Sequence, residues 1–427
     1  MRRAVLYAAM IAVTVAAMEL VALVALRIVA GHWVGVAELA EERSLRGEGV
    51  LGEGDPEALR ERNALSAERV LHPYLGYVKD ADRRVRQMVG ATNPEAGELG
   101  FPNNAYPVVQ PRDPERLVAV VLGGSLANAL VRHARPDLER ALAEIPRFRG
   151  REVRVVSLAQ PGYKQPQQLL ALSYLISLGA HFDVAINLDG YNDLVAAVTN
   201  ERLGGVAHFY PKRWAASVAD LDRDFRLAVG EIAVLQRERE ARVEAFSRAP
   251  WRWSHLAGLV WKRLDQGLED DIRRAELRLH DGGRELSFQT SGPRREYPTE
   301  AALYEDIVAV WRRASMQLDR LSGALGIEYY HFLQPNQYVP DSKPLSERER
   351  AEKIELGSRR DQIVRTGYPL LQRAGAELRG EGVAFHDLTP VFRGVESTIY
   401  IDVCCHVNPE GSRRIVAAIA EAVALRE

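Results

Sequence analysis

Residues 117–130, with the sequence LVAVVLGGSLANAL, decide the fold of this chain. The apolar run 117–122 predicts a strand that is buried on both faces, because none of its side chains is polar. Two glycines then allow a tight turn, and Ser125 stands where a helix can begin. A doubly buried strand that leads into a helix is typical of a parallel sheet covered by helices.

The same pattern of strand, turn and helix recurs along the chain. Four further apolar runs predict strands, at residues 153–158, 184–188, 328–333 and 383–386. Helices are expected at 165–178 and 409–425, the second with Pro409 in its first turn, where proline is tolerated. The sequence therefore predicts an α/β fold: a three-layer α/β/α sandwich with a mostly parallel five-stranded sheet.

The composition is that of an ordinary globular protein. The chain has 427 residues, of which 47% are hydrophobic and 27% charged, and its formal net charge is −2. A nearly neutral chain without a basic stripe gives no indication of nucleic-acid binding. Its two cysteines, Cys404 and Cys405, are adjacent, which argues against a disulfide framework and against a zinc site built on multiple thiolates. The pair could close into a strained disulfide ring, but two reduced, partly buried thiols are the expectation.

The N-terminal residues 1–30 predict a transmembrane signal anchor. Residues 4–26 are apolar except for Glu19, which is about the length that a helix needs to cross a bilayer. By the positive-inside rule, Arg2 and Arg3 would keep the N-terminus in the cytoplasm, with the rest of the chain in the periplasm or outside the cell. A cleavable signal peptide is the alternative, but its apolar region is usually shorter. Glu19 could pair with another helix, although a single tolerated carboxyl is the simpler interpretation.

The remainder of the chain is expected to form a stalk, a sheet domain and an insertion. Residues 31–115 predict a charged helical stalk and an irregular lead-in, and the sheet domain comprises residues 116–205 and 321–427. Between these two parts, residues 206–320 are rich in Arg, Glu and Trp and predict a helical insertion, with an amphipathic helix at 220–245. The insertion could be a lid or a surface for a protein partner, although its charges are more typical of a solvated face.

Short motifs at the ends of the predicted strands carry the candidate chemistry. Gly123, Gly124 and Ser125 follow the first strand, Gly162 follows the second, and residues 190–193 (Gly-Tyr-Asn-Asp) follow the third. Parallel strands bring their carboxyl ends to one edge of the sheet, so we expect these motifs to meet there. Ser125 would offer a nucleophilic hydroxyl, and the asparagine of the third motif a donor to a developing negative charge. Taken alone, each motif is also typical of an ordinary turn, with Ser125 as a helix cap.

Asp402 and His406 lie four residues apart on a loop before the last predicted helix. From there His406 could take the proton of Ser125 while Asp402 holds its ring in one tautomer. An isolated pair of this kind is also typical of a solvated aspartate and a surface histidine. His386 and Asp387 are less suited to such a role, because adjacent residues on a strand point to opposite faces.

In this order the motifs resemble those of the SGNH (GDSL-like) hydrolase superfamily. Residues 123–125 are similar to its first block, with Gly124 in place of the commoner aspartate, and Gly162 is similar to its second. Residues 190–193 match its third block, Gly-x-Asn-Asp, and residues 402–406 are similar to its fifth. The resemblance covers two segments of the chain, about residues 116–200 and 325–427.

The resemblance implies a role for each of these residues. Ser125 would be the nucleophile, His406 the general base and Asp402 the carboxylate that orients it. The backbone N–H groups of Ser125 and Gly162, with the side chain of Asn192, would form the oxyanion hole. The implied fold is flavodoxin-like, and the implied reaction is ester hydrolysis through an acyl-serine intermediate, without a metal or a cofactor.

Asp402 and His406 depart from the family's usual spacing, Asp-x-x-His, because one further residue lies between them. A bulge or a ring formed by the two cysteines could restore the geometry; otherwise Asp402 would be displaced. Gln334 and Asn336 follow the fourth predicted strand at the same edge of the sheet. Their amides could contact a polar substrate such as a sugar, or could simply belong to a proline-containing loop.

The sequence as a whole predicts a membrane-anchored serine esterase that acts outside the cytoplasm. Its substrates would be acyl esters, O-acetyl esters among them, of a polysaccharide or a lipid. An acyltransferase would use the same serine and differ only in the acceptor. A non-catalytic scaffold of an envelope assembly is the alternative from another class, and the altered spacing of Asp402 and His406 slightly favours it.

Overall fold

The computed structural model describes residues 2–48, 69–79, 99–101, 103–218, 223–281 and 288–426. Its strands are β1 (Arg69–His72), β2 (Gly76–Lys79), β3 (Arg116–Gly123), β4 (Glu152–Ser157), β5 (Val184–Asp189), β6 (Glu328–Leu333) and β7 (Phe385–Asp387). Its α-helices are α1 (Arg2–Ala30), α2 (Val36–Glu48), α3 (Ser125–Ala143), α4 (Gln167–Ser177), α5 (Tyr191–Gly204), α6 (Trp214–Ser217), α7 (Arg223–Ser247), α8 (His255–Asp281), α9 (Phe288–Ser291), α10 (Glu300–Ala324), α11 (Glu347–Glu352), α12 (Arg359–Gly380) and α13 (Pro409–Ala424).

Strands β3 to β7 form a parallel sheet in the order β4-β3-β5-β6-β7. Counted along the chain from β3, this is the flavodoxin-like order 2-1-3-4-5. The direction of winding reverses at β3, so a crevice is expected beyond the carboxyl ends of β3 and β5, where such folds bind ligands. All five predicted strands are present, and the predicted α/β fold with a parallel five-stranded sheet is confirmed. Strands β1 and β2 form a separate antiparallel hairpin.

Helices cover both faces of the sheet because alternate side chains of each strand point to opposite faces. Val120 of β3 belongs to an apolar core that it shares with α4, α5, α10 and α12. The next residue, Val121, belongs to a second core formed with α3 and α13. The three layers place the loops that follow β3, β4, β5 and β6 at one edge of the sheet.

The last helix, α13, begins where the sequence predicts. The side chain of Asn408 caps it by accepting a hydrogen bond from the N–H of Gly411, at 2.9 Å, and Pro409 occupies its first position. This start fixes the end of the loop that carries His406.

The described residues form two compact units, and the first consists of residues up to 48 together with 223–281. It is helical: α8 packs against α7 and α1. The predicted stalk continues past residue 48 into a segment outside the described residues, as does the start of the predicted helix 220–245. Within α1, the segment Ala9–Ala30 is long and apolar enough to cross a membrane, with a mean hydropathy of 2.4; a signal sequence has the same properties.

Glu19 of α1 pairs with another helix, which was one of the two expectations for it. Its carboxylate accepts hydrogen bonds from the N–H groups of His255, at 2.7 Å, and Leu256, at 3.3 Å, and from the hydroxyl of Ser254. The first N–H groups of a helix have no partner within the helix, so Glu19 satisfies the N-terminus of α8.

The boundaries of the predicted insertion, 206–320, differ from those of the observed units. Residues 206–218 belong to the unit that contains the sheet, and α10 buries Leu303 and Trp311 in its core. The described part of the insertion that lies outside the sheet unit is therefore 223–281. The charge and the helical pattern of a segment could not distinguish a separate helical insertion from a helix that covers the sheet. A helix that covers a sheet is also charged on its outer face.

Candidate active site

Asp402 and His406 are in direct contact in the second unit. Asp402 Oδ2 is hydrogen-bonded to His406 Nδ1, and Asp402 Oδ1 accepts bonds from the N–H groups of Cys404 and Cys405, both at 2.9 Å, and His406, at 3.1 Å. The turn thus wraps around one carboxylate. The additional residue between Asp402 and His406 is accommodated without displacing the carboxylate, and both cysteines are free thiols.

The loop that carries this pair, residues 399–408, is called the histidine loop below. Its two ends are joined as a short antiparallel ladder: the N–H of Ile401 donates to the carbonyl of His406 at 3.1 Å, and the N–H of Asn408 to that of Ile399 at 2.9 Å. Glu349 of α11 holds the same end from the side, because its Oε1 accepts the N–H groups of Ile399 and Tyr400, both at 2.9 Å.

The two amides predicted to contact substrate, Gln334 and Asn336, lie inside the protein. Asn336 Nδ2 donates to the carbonyl of Cys404 at 2.9 Å, and Gln337 Nε2 to the carbonyl of Asp402 at 2.9 Å. The side chain of Gln334 contacts the thiol of Cys405. These amides therefore support the histidine loop rather than face a substrate, which corrects the expectation for Gln334 and Asn336. A loop with unpaired carbonyls needs such donors when it is buried.

The electrostatics of the pair favour a charged imidazole. Burial alone would lower the pKa of His406, but the charge and hydrogen bond of the Asp402 carboxylate raise the pKa to about 9. For Asp402, burial would raise the pKa, but the imidazole and the backbone N–H groups lower it below its ordinary value. His406 Nε2 is buried and has no hydrogen-bond partner among the described residues. An imidazole that is oriented by a carboxylate at one nitrogen and open at the other can act as a general base.

Ser125 is the first residue of α3, directly after β3 and its glycine turn. Gly124 precedes it as the N-cap, and a Cβ atom added there would lie 2.3 Å from Asn192 Nδ2. The close approach of Asn192 explains why this position holds glycine. It also places the Asn192 amide next to Gly124, the residue that precedes Ser125. Asn192 Nδ2 donates to the carbonyl of Tyr163 at 3.2 Å, which leaves its second hydrogen for another acceptor.

Asp193 holds the turn that carries Asn192. Its carboxylate accepts the N–H of Gly190 at 2.9 Å and the N–H of Gln165 at 2.7 Å, so it ties the loop after β4 to the turn after β5. Burial, together with the neighbouring charge of Asp189, raises the pKa of Asp193 to about 8. Asp193 therefore braces the third motif.

Gly162 has a φ of 90° and no room for a side chain. A Cβ atom there would lie 2.8 Å from Tyr77 Oη and 3.1 Å from Lys212 Cδ. The Tyr77 hydroxyl donates to the carbonyl of Pro161 at 2.7 Å, so the hairpin of β1 and β2 supports this loop. The positive charge of Lys212 also acts on His406, where it lowers the pKa. Tyr77 and Lys212 were not found from the sequence, because neither belongs to a recognisable motif.

Further contacts join the histidine loop to the other motifs. The Tyr191 side chain, next to Asn192 in the chain, contacts the thiol of Cys404. Val407 and Leu126, the neighbours of the candidate base and the candidate nucleophile, belong to the same apolar core. All the predicted motifs therefore lie at the edge of the sheet formed by the carboxyl ends of its strands.

Ser125 and His406 are not hydrogen-bonded to each other. The Ser125 hydroxyl forms no hydrogen bond with any described residue, and His406 Nε2 has no partner among the same residues. Catalytic hydrogen bonds are often long in a site without substrate and shorten when substrate binds. The arrangement thus provides a base and a hydroxyl at the same edge of the sheet, without a hydrogen bond between them.

A second set of the same residue types lies in the core. His331 Nε2 is 2.9 Å from Asp189 Oδ1, and His331 Nδ1 is 2.7 Å from Ser315 Oγ. Trp311 Nε1 donates to the same Asp189 oxygen at 2.8 Å. All of these side chains are buried, so a substrate has no access to them. This set ties α10 to β5 and β6, and its geometry is structural.

No protein-family model matches the chain, and a comparison with curated protein sequences finds no match.

Proposed function

We propose that the protein is a membrane-anchored serine esterase of the SGNH type. The observation that carries the proposal is the buried Asp402–His406 pair, which lies at the same edge of the sheet as Ser125. The Nε2 of His406 has no partner in the part of the chain that the structure describes. The resemblance of the motifs to the superfamily supports the same assignment. The flavodoxin-like strand order is consistent with it but is shared by proteins of many functions.

In the proposed reaction, neutral His406 removes the proton of Ser125 as its oxygen attacks the ester carbonyl. Asp402 holds the imidazole in the tautomer that has Nε2 free and stabilises the imidazolium that forms. The imidazolium then gives its proton to the leaving alcohol, and an acyl group remains on Ser125. A water molecule, deprotonated by His406 in the same way, releases the acid and regenerates the hydroxyl.

The negative charge on the tetrahedral intermediate would be held by three donors. The N–H of Ser125 belongs to the first turn of α3, where backbone donors have no partner within the helix and negative charge is favoured. The Asn192 amide has one hydrogen available, and the N–H of Gly162 completes the set. The loss of one such donor costs about 3 kcal/mol in the barrier.

The proposed location is a membrane facing the periplasm or the cell exterior. The second half of α1 is part of the packed first unit, since Ala22 and Leu26 are only 1% and 0% exposed. A helix that contributes to a folded unit is better explained as a retained anchor than as a cleaved signal peptide. The proposed substrates, acyl esters of a polysaccharide or a lipid, follow from this location.

Hydrolysis of a short-chain aryl ester by the full-length protein in detergent tests the proposal. We expect turnover by the wild type, and a loss of at least about 10³-fold in kcat for Ser125→Ala and for His406→Ala. Ser177→Ala, a change of the same type at the end of α4, serves as the control and should retain full activity. Equal turnover by the wild type and Ser125→Ala would show that Ser125 is not the nucleophile.

A further inference from the structure

The two cysteines of the histidine loop lie beside the candidate base. Cys404 Sγ and Cys405 Sγ are 2.9 Å apart, and both belong to free thiols. These sulfurs and a ring nitrogen of His406 all lie within 4.8 Å of one another. From the sequence alone no metal is expected here, because two adjacent thiols are too few ligands for a zinc site built on thiolates. The structure adds an imidazole to the set.

We propose that Cys404, Cys405 and His406 form a binding site for a thiophilic divalent cation such as Zn²⁺. Two sulfur ligands and one imidazole, with water in the fourth position, are a known zinc ligand set. Two thiolates and a neutral imidazole balance the charge of the ion. A tetrahedral Zn²⁺ with bonds to sulfur of about 2.3 Å needs the two sulfurs about 3.8 Å apart. Rotation of the two side chains can supply this separation.

An independent observation points to a ligand at this place. His406 Nε2 is a buried polar atom without a partner among the described residues, and a buried atom of this kind is costly unless something binds it. The loop is also fixed in advance, because Asp402 accepts the N–H groups of both cysteines and Asn336 donates to the Cys404 carbonyl. The backbone therefore needs little reorganisation to bind the ion.

Occupation of the site would take His406 out of proton transfer. The lone pair that the base uses to deprotonate Ser125 is then donated to the ion, and the acyl-serine cannot form. This consequence, unlike the binding itself, rests on the proposed esterase function. The metal would act as a reversible inhibitor.

Binding is tested with full-length, reduced, metal-free protein in detergent, with Co²⁺ as the spectroscopic probe. One equivalent of Co²⁺ is expected to produce a thiolate-to-cobalt charge-transfer band and the visible bands of tetrahedral Co²⁺, both of which Zn²⁺ removes. Cys404→Ser and Cys405→Ser should each weaken the charge-transfer band, and His406→Ala should lower the affinity. Absence of the charge-transfer band in the folded wild type would overturn the proposal.

A measurement on the wild type alone avoids dependence on variants that fold poorly. The reaction of the two thiols with a small disulfide reagent should be slowed by Zn²⁺ and restored by a chelator. Equal rates with and without Zn²⁺ would also contradict the site. Ser177→Ala is the matched control, in which Zn²⁺ should have the same effect as in the wild type.

The esterase assay separates this proposal from the proposed function. Zn²⁺ should abolish wild-type turnover, and a chelator should restore it. Cys404→Ser, measured against its own rate without metal, should need a higher concentration of Zn²⁺ for the same fractional loss of turnover. If the wild type has no esterase activity but gives the cobalt spectrum, the function is wrong and the metal site stands. If turnover is present and Zn²⁺ has no effect on it, the inhibitory role is wrong.

Glu19 carries a second, independent inference, which concerns where α1 leaves the membrane. The described side chains of residues 6–18 are all exposed, as expected of a single helix surrounded by lipid. From Glu19 onward the helix has a buried face against α8 and α2. Lys262 of α8 forms an ion pair with Glu42 of α2, at 2.6 Å. The two helices that pack against this part of α1 therefore carry charged side chains, which are costly to place in the hydrocarbon core of a bilayer.

We infer that the hydrocarbon core of the bilayer ends near Glu19 and not at Ala30. Residues 2–18 form a helix of about 26 Å at 1.5 Å per residue, slightly short of the roughly 30 Å of a typical core. A helix slightly shorter than the hydrocarbon core is accommodated by local thinning of the bilayer at a modest cost. Trp251 and Trp253 are exposed beside the residues that Glu19 contacts, where an aromatic belt at the interface would lie.

Two single-cysteine substitutions in the full-length protein, reconstituted in lipid nanodiscs, locate the boundary. Val13→Cys and Val24→Cys replace side chains that are both exposed in α1, and a membrane-impermeant maleimide, mapped by mass spectrometry, reports their access to water. We expect labelling at position 24 and loss of labelling at position 13. Protection of both positions would place the boundary further along α1, and labelling of both would show that α1 does not span the bilayer.

Discussion

At the scale of single residues, His406 experiences two opposing effects. Burial lowers the pKa of its imidazole, and the Asp402 carboxylate raises it, with a result of about 9. A general base acts in its neutral form, so kcat/KM for ester hydrolysis should rise with pH, reach half its maximum near pH 9 and level off only above it. A pH–rate profile measures this directly. A profile that is flat from neutral to alkaline pH would contradict the assignment of His406 as the base.

Asp402→Asn should change both the rate and its pH dependence. The substitution removes the charge that raises the pKa of His406, so the rising limb of the profile should move to lower pH. The plateau should fall by up to about 10⁴-fold, because an asparagine favours the wrong tautomer of the imidazole. Asp387→Asn, beside the unrelated His386, is the matched control and should leave the limb in place. A limb that moves to higher pH would contradict the account.

Lys212→Met should move the same limb in the opposite direction. The ammonium group of Lys212 lowers the pKa of His406, so its removal should raise that pKa and shift the limb to higher pH. Methionine keeps most of the aliphatic stem that packs against Gly162. Lys262→Met in the first unit is the control and should give the wild-type profile. An unchanged limb in Lys212→Met would show that this lysine has no effect on the base.

At the scale of elements, α11 and the histidine loop depend on a buried ion pair. Glu349 and Lys343 are 2.6 Å apart, and both side chains are fully buried. Glu349→Ala should lower the free energy of unfolding by about 3–5 kcal/mol, because it leaves the Lys343 charge unpaired and two loop N–H groups without an acceptor. Urea denaturation measures the change.

Glu410→Ala provides the comparison for that prediction. Glu410 pairs with Arg414 at 2.9 Å on the surface of α13, and exposed pairs contribute about 0–1 kcal/mol. Similar effects of Glu349→Ala and Glu410→Ala would mean that the buried pair does not hold the histidine loop.

The main elements of the sheet could be predicted because their signals are local. The run of six apolar residues at 117–122 and the asparagine before Pro409 each specify their structure without help from distant residues. The sequence did not reveal that α10 covers the sheet, because the helix lies in a charged segment. Trp311 shows that this helix belongs to the core of the sheet, because its indole N–H donates a hydrogen bond to the buried Asp189, which lies far away in the sequence.

At the scale of the whole molecule, all the candidate site residues belong to the second unit. In the first unit, Arg239 binds Asp265 through two hydrogen bonds of 2.6 and 2.7 Å, and Asp265 is buried. Arg239→Met should destabilise the first unit while leaving kcat for a soluble ester unchanged. Hydrogen exchange and the esterase assay test the two parts. A large loss of kcat would show that the first unit contributes to the site.

The motifs of the candidate site could be predicted from the sequence, whereas the residues that hold its loops in place could not. Ser125, Asn192 and the Asp402–His406 pair were found because each follows a recognisable strand or precedes a helix. For Asn336 the sequence left a substrate contact and a place in a loop equally open, since only the folded loop shows that its amide bonds to a backbone carbonyl. Contacts between segments that lie far apart in the chain leave no periodic signal in either segment.

Labelling by a fluorophosphonate probe tests the central claim most directly, because the probe reacts with a serine only when a base activates it in a folded site. The full-length wild type should be labelled on Ser125, as mapped by mass spectrometry, and labelling should be lost in His406→Ala and retained in Ser177→Ala. A folded wild type that remains unlabelled, or is labelled elsewhere, would contradict the proposal that Ser125 and His406 act together.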